Sequence, residues 1–175
     1  MAENNQDYLH EFSFIKIYDQ NADRIFRHIY FRLQDRERAL ELMQDTFLKT
    51  FVYLKTGKTV ENMVAFLYKV ANNLLIDEYK KNKPQSLDEM RENFDFDPGN
   101  DEFIEIKKQL DADSIIELVG KIPHSYQTVV VMRYVDDLAV KEIAKILGES
   151  ENGISVKIHR GLNYLRKLIN NYGKN

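Results

Sequence analysis

The sequence predicts an all-α protein made of two small helical domains that are joined by a flexible acidic linker. Apolar residues recur three and four residues apart before residue 83 and again after residue 111, which is the spacing of amphipathic helices. The segment between these regions is rich in acidic residues and lacks such a period. The chain has 175 residues, 43% of them hydrophobic, which is enough for two compact units of this size.

Three helices are predicted in the first half of the chain. Residues 12–33 carry one apolar stripe, and a second helix runs from the N-cap candidate Asp35 to about Leu54. A third helix is predicted over residues 62–83, where apolar pairs repeat every four residues. Pro84 ends this helix because proline disfavours helical geometry in the residue before it.

Residues 84–110 are predicted to be a mobile acidic linker. They hold eight acidic and three basic side chains, together with the pair Pro98-Gly99. Because they show little sustained periodicity, few apolar contacts are expected to offset the conformational entropy of ordering them. The net charge of −3 for the whole chain therefore arises in this segment.

Helices are also predicted in the second half of the chain. A short helix is expected over about residues 114–121, and the position of Pro123 is typical of the first turn of another helix, which reaches Tyr134. The run Val129–Val131 has strand propensity, but no partner strand is visible in the sequence. We therefore predict that this run is helical.

The last two predicted helices have the parts of a helix-turn-helix. The first covers residues 140–147, and the second begins after Ser150 and continues to about Tyr172. Gly148 permits a sharp turn between them, and Ser150 is placed to cap the second helix. The side chains predicted to point outward from the second helix are Asn152, Ser155, Lys157, His159 and Arg160.

This second helix is a candidate DNA-reading element. No acidic residue follows Glu151, whereas several basic residues do. In a helix-turn-helix the N-terminal part of the second helix enters the major groove, where Asn, Ser and Arg reach base edges and Lys neutralises phosphates. An ordinary helical hairpin with a solvated basic face is the alternative reading of the same pattern.

The composition argues against several other classes of protein. The chain has no cysteine, and its four histidines are scattered, so neither thiol chemistry nor a metal site is expected. No phosphate-cradling glycine loop or nucleophile–base pair is evident, which argues against an enzyme with a cofactor or a small-molecule substrate. The N-terminus lacks a basic region followed by an apolar run, so membrane insertion is not expected and the predicted location is the cytoplasm.

Several motifs in this order resemble one family. They are ELMQDTF at 41–47, FLYKVANN at 66–73, Ile122-Pro123, VKEIA at 140–144 and KIHR at 157–160. Across nearly its whole length the chain resembles the extracytoplasmic-function (ECF) subfamily of sigma-70 family RNA polymerase sigma factors. The resemblance predicts a factor that binds core RNA polymerase and directs promoter recognition and transcription initiation.

The chain departs from the family pattern at three places. Phe66 stands where tryptophan is usual, and Lys80 stands where arginine is usual. We interpret Phe66 as a core substitution and Lys80 as a retained cation. Residues 152–154 are Asn-Gly-Ile where the family more often has Gly-Thr-Val, so the sequence of the upstream promoter element is not predicted.

The resemblance assigns residues 8–83 to sigma region 2, residues 84–110 to the linker and residues 111–172 to sigma region 4. Region 4 would read the minus-35 promoter element with the outward side chains of the second helix of the helix-turn-helix. The resemblance also implies polymerase-binding residues, namely Glu41, Gln44, Asp45 and Lys49, for which a solvated helix face is the alternative. Residues implied to engage the minus-10 element are Lys58, Thr59, Asn62, Lys69, Asn72, Asn73, Asp77 and Lys80.

The partners implied by the resemblance are core RNA polymerase, promoter DNA and an anti-sigma factor. Asp77 has an alternative structural role, in which it orients neighbouring polar groups. The competing hypothesis for the whole chain is a stand-alone helix-turn-helix transcriptional regulator. In that case the first half would be a sensing or dimerisation bundle, and the protein would bind its promoter without polymerase.

Overall fold

A computed structural model of the protein describes residues 2–82, 103, 106, 108 and 110–172. This part of the chain contains no strand and folds into seven helices, which confirms the predicted all-α class. The helices are α1 (Ala2–Leu33), α2 (Arg36–Lys55), α3 (Met63–Asn82), α4 (Ala112–Gly120), α5 (His124–Tyr134), α6 (Val140–Leu147) and α7 (Glu151–Tyr172). Among the described helices, none combines the length and the hydrophobicity that a membrane span requires.

The first three helices form the N-terminal unit, residues 2–82. The predicted cap Asp35 accepts a hydrogen bond from the backbone nitrogen of Arg38 at 3.0 Å, so α2 begins where the sequence indicated. The apolar stripes of the three helices meet in a core that contains Ile25, Leu42 and Leu67, all buried. Burial of these stripes stabilises the bundle, because each helix alone would expose them to water.

A bidentate ion pair joins α2 to α3. Arg38 donates from Nε to Oε1 of Glu78 at 2.8 Å and from Nη2 to Oε2 at 2.6 Å. The hydrogen bonds to Glu78 and Glu41 raise the pKa of the Arg38 guanidinium above its ordinary value. Glu78 is buried, and a buried carboxylate is costly unless it is paired. Arg38 provides that pairing.

The second half of the chain contains the predicted helix-turn-helix. Gly148 has a φ of +70°, the left-handed conformation that lets α6 end in a sharp turn. Ser150 then accepts a hydrogen bond from the backbone nitrogen of Gly153 at 3.0 Å, which confirms it as the cap of α7. Val129–Val131 lie within α5 and are fully buried, so the helical interpretation of this run is confirmed.

Two side chains that precede residue 111, the predicted start of the C-terminal unit, pack into the core of that unit. Phe103 and Ile106 are helical, with 1% and 8% of their surfaces exposed. The ring of Phe103 stacks on Tyr134 of α5 at a centroid distance of 4.4 Å. The predicted bounds of the C-terminal unit, residues 111–172, stay a prediction, and Phe103 and Ile106 add to its core; most of segment 84–110 lies outside the described residues.

The two units pack against each other. Helix α1 contacts α4 and α5, and α3 contacts α6. At one edge of this contact, Gln34 at the end of α1 donates a hydrogen bond to the backbone oxygen of Ile116 in α4 at 2.6 Å. The sequence made no prediction about this relative placement.

Candidate nucleic-acid interface

Helix α7 has a buried side and an outward side. Its buried side chains are Ile154, Ile158, Leu162 and Leu165, which face the C-terminal core at the spacing of a helical stripe. Asn152 is exposed, whereas Ser155, Lys157, His159 and Arg160 are half-buried. The structure therefore places all five predicted minus-35 residues outside the core.

Three of these five residues already have partners on the protein, namely Ser155, Lys157 and His159. The Lys157 ammonium lies 2.7 Å from the carboxylate of Glu149, in the turn before α7. The Ser155 hydroxyl donates to the backbone oxygen of Glu151 at 3.0 Å. A phosphate that binds Lys157 would therefore compete with Glu149, and Ser155 must rotate before it can donate to a base.

The centre of the outward side carries residues that the sequence analysis did not select. Val156 and Asn163 are half-buried and lie opposite the buried stripe, three or four positions from Asn152, His159 and Arg160. Asn163 also lies 3.1 Å from the His159 ring and accepts a hydrogen bond from Arg166 at 3.0 Å. A helical projection centred on the buried residues of α7 would have identified both.

A second polar surface lies on α3 and on the loop before it. Lys69, Asn73, Asp77 and Lys80 are exposed at spacings of three and four residues, so they form one stripe. The loop residues Lys58, Thr59 and Asn62 are also exposed. The structure thus brings seven of the eight predicted minus-10 residues together on one exposed surface.

Asn72 is the exception, because it is only 4% exposed. Its side-chain oxygen accepts a hydrogen bond from Arg32 and lies 3.3 Å from Nε2 of His28. One residue along a helix rotates the side chain by about 100°, so the neighbour of the exposed Asn73 faces inward. Asn72, which the resemblance implied as a minus-10 residue, therefore points into the protein in this structure.

A cleft of about 250 Å³ lies beside the loop. On one side it is lined by Thr59, Asn62, Phe66 and Lys69, and on the other side by residues of α6. The ring of Phe66 lies against that of Tyr53 at a centroid distance of 4.7 Å, so an aromatic pair forms part of the wall. Among the described residues, no group of His, Asp or Glu is arranged to hold a metal ion.

The outward face of α2 combines polar and apolar side chains. The predicted polymerase-binding residues Glu41, Gln44, Asp45 and Lys49 are all exposed on it. Leu48 and Val52 lie on the same face and are 60% and 56% exposed. The sequence analysis did not select these two residues. Their spacing could have identified them, because Leu48 follows Gln44 by four residues and Val52 follows Leu48 by four, which places all three on one face of the helix.

These features define a helix-turn-helix DNA-binding protein with a second helical unit. Residues 17–85 match the Sigma-70 region 2 family, and residues 112–165 match the Sigma-70, region 4 family. The chain therefore belongs to the sigma-70 family of RNA polymerase sigma factors, in the ECF subfamily. The region 2 match identifies the N-terminal unit, in place of the sensing or dimerisation bundle that a stand-alone regulator would have.

The chain is similar to curated relatives over most of its length. The ECF RNA polymerase sigma factor SigW of Bacillus subtilis (strain 168) is 27% identical over 172 residues, which cover 90% of this chain and 89% of the relative. The RNA polymerase sigma factor SigV of the same strain is 26% identical over 153 residues, 86% of each chain.

A solved structure confirms the fold. It is the sigma factor RpoE from Bartonella quintana, determined in complex with the anti-sigma factor NepR. It superposes with a TM-score of 0.68 over 90% of this chain and 97% of that chain, at 16% sequence identity. The two family matches and the curated relatives together show that the present chain is an RNA polymerase sigma factor, a transcription initiation factor.

Proposed function

We propose that this sigma factor directs transcription initiation through three separate binding surfaces. The outward face of α2 binds core RNA polymerase, α3 and its preceding loop engage the minus-10 element, and α7 reads the minus-35 element. The observation that carries this proposal is the outward side of α7, which presents amide, imidazole and guanidinium groups on a helix without acidic residues after Glu151. These groups suit the base edges and phosphates of a major groove.

For the minus-35 element, Arg160 is the strongest candidate for a base contact. Its guanidinium can donate two parallel hydrogen bonds to one guanine. Because Arg160 lies on the outward side of α7, it can reach a base while the helix lies in the groove. Val156, at the centre of this side, offers methyl groups that suit the methyl group of a thymine. When DNA binds, the Lys157 ammonium leaves the carboxylate of Glu149 and pairs with a DNA phosphate instead.

Replacing Arg160 with alanine is expected to weaken binding of the holoenzyme to its promoter by about 1–3 kcal/mol, because a bidentate base contact is lost. Footprinting at the minus-35 element and equilibrium binding measure this effect. Arg166→Ala is the matched control: as a backbone-contacting cation it should weaken all promoter sequences alike. An Arg160→Ala holoenzyme with an unchanged footprint would contradict the assignment.

For the minus-10 element, the cleft beside the loop is the candidate base pocket. Melting requires a base to leave the stack, which costs a few kcal/mol unless a protein pocket receives it. The pair Tyr53 and Phe66 supplies an aromatic surface for such a base, and Thr59 and Asn62 supply hydrogen-bonding groups. The cations Lys58, Lys69 and Lys80 hold the strand electrostatically.

For the polymerase, the exposed apolar pair Leu48 and Val52 adds to the polar residues predicted on α2. Exposed aliphatic side chains that lie among polar ones are typical of a protein interface. Glu41 already pairs with Arg38, so its carboxylate is held in place on this face. The core polymerase is therefore expected to cover Leu48 and Val52 and to pair with the charges around them.

Replacing Leu48 with glutamate is expected to weaken association with core polymerase roughly tenfold, because a charge would have to be buried in the interface. Competition binding against a labelled wild-type chain measures the affinity. Leu48→Met keeps an apolar side chain and a good helix former, so it should bind core polymerase like the wild type. If the glutamate and methionine variants bind core polymerase with equal affinity, this face of α2 is not part of the polymerase interface.

An anti-sigma factor is a further expected partner. The sigma factor RpoE of Bartonella quintana, whose fold this chain shares, was solved with an anti-sigma factor bound. We propose that this chain is regulated in the same way and acts in the cytoplasm, where its polymerase is found. It contributes no catalytic group of its own.

The whole proposal is tested by reconstitution. The purified chain should co-elute with core RNA polymerase, and the complex should start transcripts at defined promoters. A gel shift with and without core enzyme separates this from the stand-alone regulator, which would bind its promoter alone.

A further inference from the structure

Ile76 is an exposed aliphatic side chain in the middle of the polar stripe on α3. It is 44% exposed, whereas its neighbour Leu75 is fully buried. It lies seven residues after Lys69, three after Asn73 and four before Lys80. Residues at these spacings share one face of a helix, so Ile76 stands among the side chains that are proposed to engage the minus-10 element.

Neither the core nor the stability of α3 accounts for an isoleucine at this position. The buried residues of α3 include Leu67, Ala71 and Leu75, and Ile76 is not among them. Isoleucine is branched at Cβ and is a poorer helix former than leucine, lysine or alanine. At an exposed site, where packing does not decide, any of these would stabilise the helix more. A contact outside the protein therefore explains the isoleucine better.

Few other apolar side chains are exposed in the described part of the chain. The large ones are Ile15, Tyr18, Leu40, Leu48, Val52 and Ile76. Single exposed apolar side chains are common on protein surfaces, so exposure alone would not distinguish Ile76. Its place does: among these six described residues, it alone lies on a surface that is proposed to contact DNA, whereas Leu48 and Val52 lie on the proposed polymerase-binding face.

The major groove of DNA offers one apolar group to such a side chain, the C5 methyl group of thymine. Ile76 has no hydrogen-bonding group in its side chain. Against the edge of guanine, adenine or cytosine it would cover donors and acceptors without pairing them, which is costly. Against thymine it would remove two apolar groups from water, which is favourable.

The position of Ile76 along α3 determines where this thymine lies. Ile76 is ten residues after Phe66, whose ring lines the candidate base pocket. At about 1.5 Å per residue, the two positions are about 15 Å apart along the helix. That length corresponds to about four base pairs at roughly 3.4 Å per step. When α3 lies along the groove, Ile76 therefore meets a base pair about four steps from the base that enters the pocket.

We infer that Ile76 is a specificity-determining residue of the minus-10 surface and selects thymine at a paired position, about four base pairs from the base held in the cleft beside the loop. This inference rests on the proposed function of α3. It goes beyond that function because it assigns an apolar contact and the base that the contact selects. The lysines of the stripe hold the DNA backbone, and Ile76 supplies discrimination at one position.

The experiment removes the methyl group from the DNA and the side chain from the protein in turn. In a promoter that the reconstituted holoenzyme opens, each thymine of the minus-10 element is replaced singly with uracil, which lacks only the C5 methyl group. Equilibrium binding compares each template with its parent. Loss of one buried methyl group should weaken binding of the wild-type holoenzyme about threefold to fivefold at one position. Permanganate, which oxidises unpaired thymines, locates the melted segment on the same templates.

The protein variants complete the comparison. Ile76→Ala should bind the parent promoter several-fold more weakly and should lose nothing further when uracil stands at the sensitive position. Ile76→Val keeps two methyl groups on Cβ and should retain most of the uracil response. Because alanine is the better helix former, Ile76→Ala should be at least as stable as the wild type in thermal denaturation.

Ile15→Ala is the matched control. Ile15 is 55% exposed on α1, a helix that carries neither proposed DNA surface. This variant removes the same atoms from an exposed isoleucine and should keep the full uracil response. The ratio of affinities on thymine and uracil templates is the decisive quantity, since a change in folding or in polymerase binding alters both affinities alike.

The outcomes separate this inference from the proposed function. A uracil response that the wild type shows and Ile76→Ala lacks supports it. Equal responses in these two proteins, or no response at any thymine in the wild type, would overturn it even if transcription starts normally. A sensitive thymine inside the melted segment would overturn it as well. If the holoenzyme starts no transcript at any promoter, the proposed function fails, and the role of Ile76 fails with it.

Discussion

Replacing Phe103 with alanine should lower the free energy of unfolding of the C-terminal unit by about 3–4 kcal/mol. Phe103 is 1% exposed and stacks on Tyr134, so its removal takes away buried apolar surface and leaves a cavity beside α5. That loss is a large share of the stability of a small domain, which is commonly about 5–15 kcal/mol. Chemical denaturation followed by circular dichroism measures it.

The control for Phe103 lies five residues further along the same segment. Lys108 is exposed, so Lys108→Ala should change the free energy of unfolding by about 0.5 kcal/mol or less. Phe103→Leu should fall between the two, since it keeps part of the buried volume. If Phe103→Ala denatures at the same point as Lys108→Ala, Phe103 does not belong to the core of the C-terminal unit.

Replacing Gly161 with valine should destabilise the helix-turn-helix by about 3 kcal/mol and abolish recognition of the minus-35 element. A side chain at Gly161 would place its Cβ 2.5 Å from Cγ2 of Val130 and 3.3 Å from Cβ of Tyr126. Because α7 crosses α5 at this point, the recognition helix must move outward to admit the new atoms. Calorimetry of the free protein and footprinting of the holoenzyme give the two readouts.

Gly153 supplies the matched control in the same helix. A Cβ at Gly153 would lie 3.1 Å from the Ser150 hydroxyl oxygen and 4.0 Å from a carboxylate oxygen of Glu149, both at the ends of side chains. Gly153→Ala should therefore be neutral or stabilise the helix by up to about 1 kcal/mol, the usual gain in helix propensity. A Gly161→Val protein as stable as Gly153→Ala would show that α7 and α5 do not approach this closely.

Gly161→Val should leave association with core polymerase largely intact. The proposed polymerase-binding face lies on α2, in the other unit. Loss of minus-35 recognition together with retained polymerase binding would thus separate the roles of the two units within one variant.

Local signals in the sequence predicted most of the helices and their ends. Asp35, Gly148 and Ser150 each act through a hydrogen bond or a backbone angle within a few residues. Pro123 directly precedes α5, as its position indicated. Such interactions do not depend on the rest of the fold, so the residue type and its neighbours suffice to predict them.

The candidate sites were predictable in part. The exposed stripe on α3 follows from helical periodicity, and so does the outward side of α7. The resemblance grouped Asn72 with these exposed residues, but its side chain is buried against α1, where its partners are His28 and Arg32. Periodicity could not show that Lys157 pairs with Glu149 across the turn.

By itself the sequence determined the helical class, the helix-turn-helix and the residues available on each polar face, since these depend on composition and on spacing within one helix. Only the tertiary structure decided that Phe103 and Ile106 join the core, and that Asn72 is buried beside His28 and Arg32. The buried pair His28 and Asp136, which joins the two units, is separated by 108 residues in the chain. Contacts of that range arise from the packing of whole helices, and a period read along one helix carries no information about them.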